Sequence, residues 1–376
     1  MDVEYPKVSI VILNYNGKHF LKDCLDSVFK QTYKNYDVIL VDNGSTDGSV
    51  EFIREAWKQE IRLGTLKIIC NDRNYGFAEG SNIGTKHATK DERLKYIVLL
   101  NNDTVVEENF LKELVEIAES RGGVGIVQSN VLYPVRGGEL ARKLVSVGGK
   151  EFYISEEKQR IEASGTTGIL NYNVYNVRKT KGVGFYAGGP SLLFKPEIAS
   201  PPFDPDYFMY SEDIYLSWLV RLKGYKVGFA EKSYVMHLGG GWDKEPKDPK
   251  LIFHSEKNRI TNLLLFYDRI TLLKILPLLI SEIFLKNLIY PKRMKSRILA
   301  YLWILKNKRR IVEKRQIIQV QRKVSDEDIL KLMSCKIMTE KKALAKMINK
   351  LARLYCSLVG IKTLEFYGRT FSNRSE

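Results

Sequence analysis

The first 130 residues alternate short apolar runs with amphipathic stretches, and no other feature restricts the fold as much. Lys7–Leu13 (KVSIVIL), Tyr36–Val41 (YDVILV), Leu66–Cys70 (LKIIC) and Tyr96–Leu100 (YIVLL) are β-branched or Leu-rich and read as buried strands, with Gly123–Gln128 as another. Between them lie the helical patterns Phe20–Lys30, Ser49–Gln59, Ala78–Ala88 and Glu107–Ser120. Such alternation predicts βαβ units and an α/β fold whose mostly parallel sheet is covered by helices on both faces. From about 130 to 200 the periodicity weakens and Gly, Tyr and Asn accumulate, which predicts mixed or antiparallel structure with long loops. Helical pattern returns at Glu212–Lys223. A strand is expected at Lys226–Ala230, a mobile loop at Gly239–Pro249 and a helix from Ile252 to Tyr267.

Charge divides the chain differently. Residues 1–260 hold 35 basic and 35 acidic side chains, whereas 261–376 hold 25 and 9, so the net +16 belongs to the tail. The chain therefore reads as two halves of one domain, 1–130 and 131–260, followed by a basic helical extension over 261–376. A hydrophobic content of 44% excludes disorder for most of it. Four scattered cysteines form no CxxC pair, which argues against a disulfide framework or zinc cluster. The N-terminus reads as a strand rather than a signal peptide, and no uncharged apolar run is long enough to span a bilayer. A cytoplasmic location is expected. Apolar runs with Trp, Tyr and Leu alternate with Lys and Arg between 263 and 315, which suits an anionic membrane surface at the inner face of the cell membrane. Packing on the domain or in a homodimer is the alternative. Two further amphipathic stretches lie near Asp326–Cys335 and Glu340–Val359.

Five motifs can carry chemistry. Asp42 closes the second strand in VDNGSTDG; it can meet a base or ribose, while Asp47 suits a helix cap. NYGFAEGSNIG, residues 74–84, can bring backbone N–H groups to a diphosphate or simply let a helix approach the sheet. LLNNDT runs an apolar strand into Asp103, which suits a hard divalent cation such as Mg²⁺ or Mn²⁺, or else caps a helix over Val106–Ser120. Glu212 and Asp213 open an apolar helix, where one can face a cleft as general base, with Arg221 placed to orient an acid. His237 precedes a triple glycine and can contact a metal or phosphate.

The ordered set SIVILNYNG, VDNGSTDGS, NDRNYGFAEGSNIG, LLNNDT, AGGPSLLFKPE, FMYSEDIYLSWLVRLKGYKV and HLGGG resembles the family 2 glycosyltransferases, most closely their rhamnosyltransferase-like branch, from about Val8 to Phe266. The resemblance implies a GT-A fold. It implies that Asn14, Tyr15 and Asp42 hold the nucleoside of a UDP-, dTDP- or GDP-linked sugar, with Asn74, Gly76 and Asn82 along the donor pocket. Asn101-Asn102-Asp103 matches the family's DXD motif, Asp103 meeting the metal and His237 completing the metal or diphosphate site. Asp213, beside Glu212, would be the catalytic base. The chain departs from the pattern at Asn101, at Tyr215 where many relatives have Asp, and at Leu219 where many have Arg.

The implied reaction is an inverting transfer to an acceptor hydroxyl, with a lipid-linked saccharide preferred as acceptor because of the tail. A sugar-nucleotide nucleotidyltransferase would share the α/β pattern but would carry an Arg/Lys-containing Gly-rich loop after the first strand, where this chain has LNYNGKHF. A nucleic-acid-binding protein would need support beyond the tail, and residues 1–260 give none.

Overall fold

The computed structural model describes residues 5–120, 122–134, 143–154, 167–171, 184–239, 248–338 and 343–371. Residues 240–247, most of the expected mobile loop, lie outside the described residues. Eight strands form one sheet: β1 (Lys7–Asn14), β2 (Tyr36–Asp42), β3 (Leu66–Cys70), β4 (Leu94–Asn101), β5 (Thr104–Val106), β6 (Val124–Leu132), β9 (Ser191–Phe194) and β10 (Lys226–His237). Their order is β3-β2-β1-β4-β9-β6-β10-β5. Only β9 and β5 run against the other strands of the sheet, so it is mostly parallel, as expected. A separate antiparallel pair, β7 (Lys143–Val147) and β8 (Lys150–Ile154), falls in the region expected to be mixed.

The strands are apolar almost throughout because both faces are covered. Successive side chains point to opposite faces, so Val8, Ile10 and Ile12 of β1 join Val38, Leu40, Val98 and Leu100 in one core, while Val11 joins Ile39, Val41, Ile97 and Leu99 in the other. Helices α1 (Lys18–Val28) and α5 (Phe110–Ser120) close the first core; α4 (Gly76–Ala88) and α6 (Glu212–Leu222) close the second. Gly84 lets α4 lie against the sheet, since a side chain there would collide with Val11 and Val41.

Three expectations need correction. The helix over Ser49–Gln59 divides into α2 (Ser49–Ala56) and α3 (Lys58–Arg62), breaking at Trp57, whose buried ring packs edge-on against Phe52. The strand expected to end at Ala230 continues to His237. A register shift between Ala230 and Tyr234 loops the polar Glu231 and Lys232 outward before pairing resumes with Asn130–Leu132. Finally, Asp103 caps no helix: β5 follows it directly and α5 begins at Phe110.

The tail is built on α7 (Pro249–Phe266), which is capped by Asp248 and starts with Pro249. The helices α8 (Arg269–Ile289), α9 (Met294–Lys306), α10 (Lys308–Val320), α11 (Asp326–Leu330), α12 (Ala343–Leu358) and α13 (Leu364–Phe371) follow. Part of the tail's positive charge holds this assembly together. Arg315 donates to the carbonyls of Leu264 (2.5 Å) and Tyr267 (2.6 Å), closing the end of α7, where carbonyls lack helical partners. Lys314 and Arg310 pair with Asp206 at 2.6 and 2.7 Å, tying α10 to the segment before α6. None of the described helices is long and apolar enough to cross a membrane.

Candidate active site

The carboxyl ends of β1, β2 and β4 lie side by side, with Asn14 opposite Asp42 and Leu13 opposite Asn101. Open α/β sheets place their ligands beyond such ends. Here the polar residues form one connected set. Asn14 donates to the Asp42 carboxylate (2.9 Å) and accepts from the Asn102 amide (2.7 Å), and Asp42 also accepts from the Ser45 N–H (2.9 Å). Asn14 and Asp42 are buried, so these bonds fix their orientation, whereas the Tyr15 ring beside them is 49% exposed and open to stacking. Asp47 accepts from the Ser49 N–H at the start of α2 and from the Lys18 N–H at the start of α1, although the N-cap position of α2 is Gly48.

The second motif divides between two jobs. Asn74 accepts from the Gly76 N–H (2.8 Å) and from Asn43 (3.0 Å). Asn43, unnoticed in the sequence, is buried and also bonds Asn71, the Gly76 carbonyl and the Tyr75 N–H, so it organises the whole turn. Gly76 has φ +85° and packs on the Phe208 carbonyl, where a side chain would not fit. Asn82, expected along the donor pocket, binds the Phe203 backbone with both ends of its amide (3.0 and 3.1 Å). It is a tether between α4 and the segment leading to α6.

Asp103 and His237 come together across 134 residues, their carboxylate and Nε2 lying 3.1 Å apart. The antiparallel pairing of His237 with Thr104 causes this. Among the described residues, Asp103 Oδ1 and His237 Nδ1 are buried without a hydrogen-bond partner. Orphaned buried polar atoms on one carboxylate and one imidazole fit a divalent cation that takes its remaining ligands from a diphosphate and water. No group of three or more such side chains exists among the described residues. Gly239 keeps the approach narrow, since a side chain there would strike the Asp103 carboxylate.

Two successive non-glycine residues in the left-handed region, Tyr210 (φ +72°) and Ser211 (φ +64°), introduce α6. Such backbone costs about 1–3 kcal/mol per residue and persists only when its surroundings hold it. The hold comes from α7. Asn258 donates to the Met209 and Tyr210 carbonyls at 3.0 and 2.8 Å, and Asn262 donates to that of Ser211 at 3.2 Å. Both asparagines are fully buried.

This turn delivers Glu212 and Asp213. Burial raises the carboxyl groups of both above the ordinary range, and the charge of Asp213 raises Glu212 further. Of the two, Glu212 is raised further and so holds its proton more tightly than Asp213. Asp213 accepts from the Ile214 N–H (2.8 Å), and its other oxygen packs on the face of Gly188 where a side chain would collide with it.

Arg221 does not orient either acid. Its guanidinium instead donates to the carbonyls of Phe185 (2.6 Å) and Gly184, and Ser217 exchanges bonds with the Ala187 backbone (3.0 and 3.2 Å). These side chains follow Asp213 at four-residue intervals, a face that could have been read from the sequence. They press residues 184–188 onto α6. Two residues later the Pro190 carbonyl accepts from the Asn101 N–H (2.8 Å), so Gly188–Pro190 joins Asp213 to the NND segment.

Comparison with known proteins places the chain beside sugar-transferring enzymes. The family described as Glycosyl transferase family 2 matches over residues 9–188. The chain is 28% identical over 149 residues to glycosyltransferase GlyG of Streptococcus pneumoniae serotype 4, covering 40% of this chain and 46% of that protein. It is 25% identical over 240 residues to a poly-beta-1,6-N-acetyl-D-glucosamine synthase of Staphylococcus epidermidis, covering 62% and 52%. The chain thus spans about half the length of these relatives. A crystal structure of GalNAc-T7 with UDP, GalNAc and Mn²⁺ superposes with a TM-score of 0.54 at 19% identity, covering 71% of this chain and 49% of that one. The fold is GT-A, and residues 9–188 match the family 2 glycosyltransferases in sequence.

Proposed function

We propose that the protein is an inverting glycosyltransferase that moves a sugar from a nucleoside-diphosphate donor to an acceptor hydroxyl. The observation that carries this reading is Asp213, a carboxylate held on a strained turn and joined through Gly188–Pro190 to the NND segment. Asn14 and Asp42 recognise the nucleoside, with Tyr15 available to stack on the base. Asp103 and His237 would hold Mg²⁺ or Mn²⁺, which would offset the charge of the departing diphosphate. Asp213 takes the proton of the acceptor hydroxyl as its oxygen bonds the anomeric carbon. The bond from that carbon to the diphosphate oxygen breaks on the opposite side, and the nucleoside diphosphate leaves with the electron pair. Attack from the far face inverts the configuration.

The acceptor we favour is a lipid-linked or cell-surface glycan precursor, with the enzyme peripheral on the inner face of the membrane. The basic, apolar tail and the similarity to a polysaccharide synthase support this, and the motif set supports the rhamnosyltransferase-like branch. The test incubates the protein with Mn²⁺ and a panel of UDP-, dTDP- and GDP-sugars and identifies the released product. Nucleoside diphosphate release together with a product of opposite anomeric configuration is expected. Pyrophosphate release in a parallel reaction supplied with nucleoside triphosphates and sugar 1-phosphates would assign the protein to the nucleotidyltransferases instead, and retained configuration would remove Asp213 as base.

A further inference from the structure

We propose that the enzyme docks on an anionic lipid surface through the outward faces of α8, α9 and α12, with α8 lying in the plane of the interface. This rests on the membrane reading above and adds which surface meets the lipid and how. The starting observation is that α8 has reversed polarity. Its inward face carries Glu282, 1% exposed, in a buried ion cluster with Arg259 (3.1 Å) and Lys286 (2.9 Å), and Arg259 binds Glu256 as well. Its outward face carries Ile270, Leu273, Pro277, Ile280, Phe284 and Leu288, spaced three or four residues apart on one side of the helix. Leu273, Phe284 and Leu288 are 67–69% exposed, and Ser281 is the single exposed polar residue between Ile270 and Leu288. A helix built to face water places its charges outward. This one spends its acid inside and presents an apolar strip about 27 Å long at 1.5 Å per residue.

The neighbouring helices repeat the pattern. Met294, Ile298, Leu302 and Leu305 line the exposed side of α9, and Leu344, Met347, Leu351, Leu354 and Leu358 that of α12. α8 and α9 are joined by the short turn Pro291–Arg293 and by a bond from Arg297 to the Lys286 carbonyl (2.9 Å). Tyr355 of α12 bonds the Lys274 carbonyl of α8 (2.8 Å). Exposed bases flank the strips: Lys292, Lys295 and Lys306 around α9, and Lys346, Lys350 and Arg353 along α12.

Charge selects the occupant. A second copy would bring the same positive face against this one, whereas anionic headgroups complement it and acyl chains take the apolar strips. Arg269, Lys274, Glu282 and Lys286 keep α8 from crossing the bilayer, so it lies flat. The placement also reaches the site, because the residue that binds Glu282, Arg259, is next to Asn258, which holds the turn before Asp213. One helix, α7, thus sets the position of the catalytic turn relative to the lipid.

The test is flotation of the full chain with vesicles of phosphatidylcholine alone and of phosphatidylcholine mixed with phosphatidylglycerol. Wild type is expected to float with the mixed vesicles, and Ile280→Glu combined with Phe284→Glu to lower the bound fraction about tenfold or more. The uncharged pair Phe284→Ala and Leu288→Ala should lower it less, in the same direction. Circular dichroism and donor hydrolysis without vesicles should match wild type in every variant. Wild type that does not float, or charged-strip variants that float normally, would overturn the proposal. A wild-type dimer in light scattering that the strip variants dissociate would assign the face to a second copy and overturn it too. Intact flotation with no sugar transfer from any donor would instead count against the enzymatic reading alone.

Discussion

Replacing Asn258 by Ala removes two hydrogen bonds from a fully buried side chain and leaves the Met209 and Tyr210 carbonyls without that donor. A buried polar group left unsatisfied costs about 1–3 kcal/mol, so two lost bonds predict destabilisation of about 2–6 kcal/mol. The catalytic effect should be more telling. Tyr210 and Ser211 occupy left-handed backbone that the free chain disfavours, and Asn258 is one of the groups opposing its relaxation. Relaxation would shift the start of α6 and move Asp213 off Gly188. A displacement of about 1 Å at a reacting group lowers turnover about 10²-fold. Donor affinity should stay close to wild type, because Asn14, Asp42 and Asp103 sit on other elements. Thermal unfolding, donor titration calorimetry and steady-state kinetics on Asn258→Ala separate these effects. Asn262→Ala, which releases only the Ser211 carbonyl, should be milder. Lower stability with undiminished turnover would refute the claim that this turn positions the base. So would a fall in donor affinity as large as the fall in turnover.

Other predictions concern the site's charges and space. Burial raises Glu212, and its folded-state value lies above its unfolded one. Its favourable contribution is therefore complete below the unfolded value and is lost as pH rises through the folded value. Glu212→Gln should gain about 1–3 kcal/mol of stability near neutral pH relative to wild type, the gain shrinking toward pH 4, as melting at several pH values would show. Asp213 must be ionised to act, so kcat should fall on acidification with a midpoint above the ordinary aspartate range in a pH–rate profile. Gly188→Ala would put a methyl group against the Asp213 carboxylate and should reduce turnover more than donor binding. Asp103→Asn should weaken Mn²⁺-dependent donor binding about tenfold or more in calorimetry, with little effect measured without metal.

The parts legible in the sequence were those carried by local pattern. The central strands lack alternation because both faces are buried, and residues that end apolar strands, such as Asn14, Asp42 and Asn101, fall at the mouth of the sheet by construction. The pairing of Asp103 with His237 depends on a strand 134 residues away and came from resemblance alone. Asn258 and Asn262 passed unnoticed because the turn they hold offers backbone carbonyls, which a sequence does not display, and Asn43 because its partners, Asn71, Asn74 and the backbone of Tyr75 and Gly76, lie far along the chain. Asn82 and Arg221 were assigned to the donor and the acid for the same reason: their actual partners are backbone groups of Phe203, Phe185 and Gly184. The reversed polarity of α8 was hidden differently. Periodicity locates the apolar face of a helix but does not say whether that face turns inward.

The most direct test of the account is Asp213→Asn, measured as donor affinity and as transfer to an acceptor in parallel. The side chain keeps its size and can still accept from the Ile214 N–H, so the fold and the donor site should be preserved. The account predicts donor affinity near wild type with turnover lowered by a factor of about 10² or more. Near-normal transfer by this variant would contradict it.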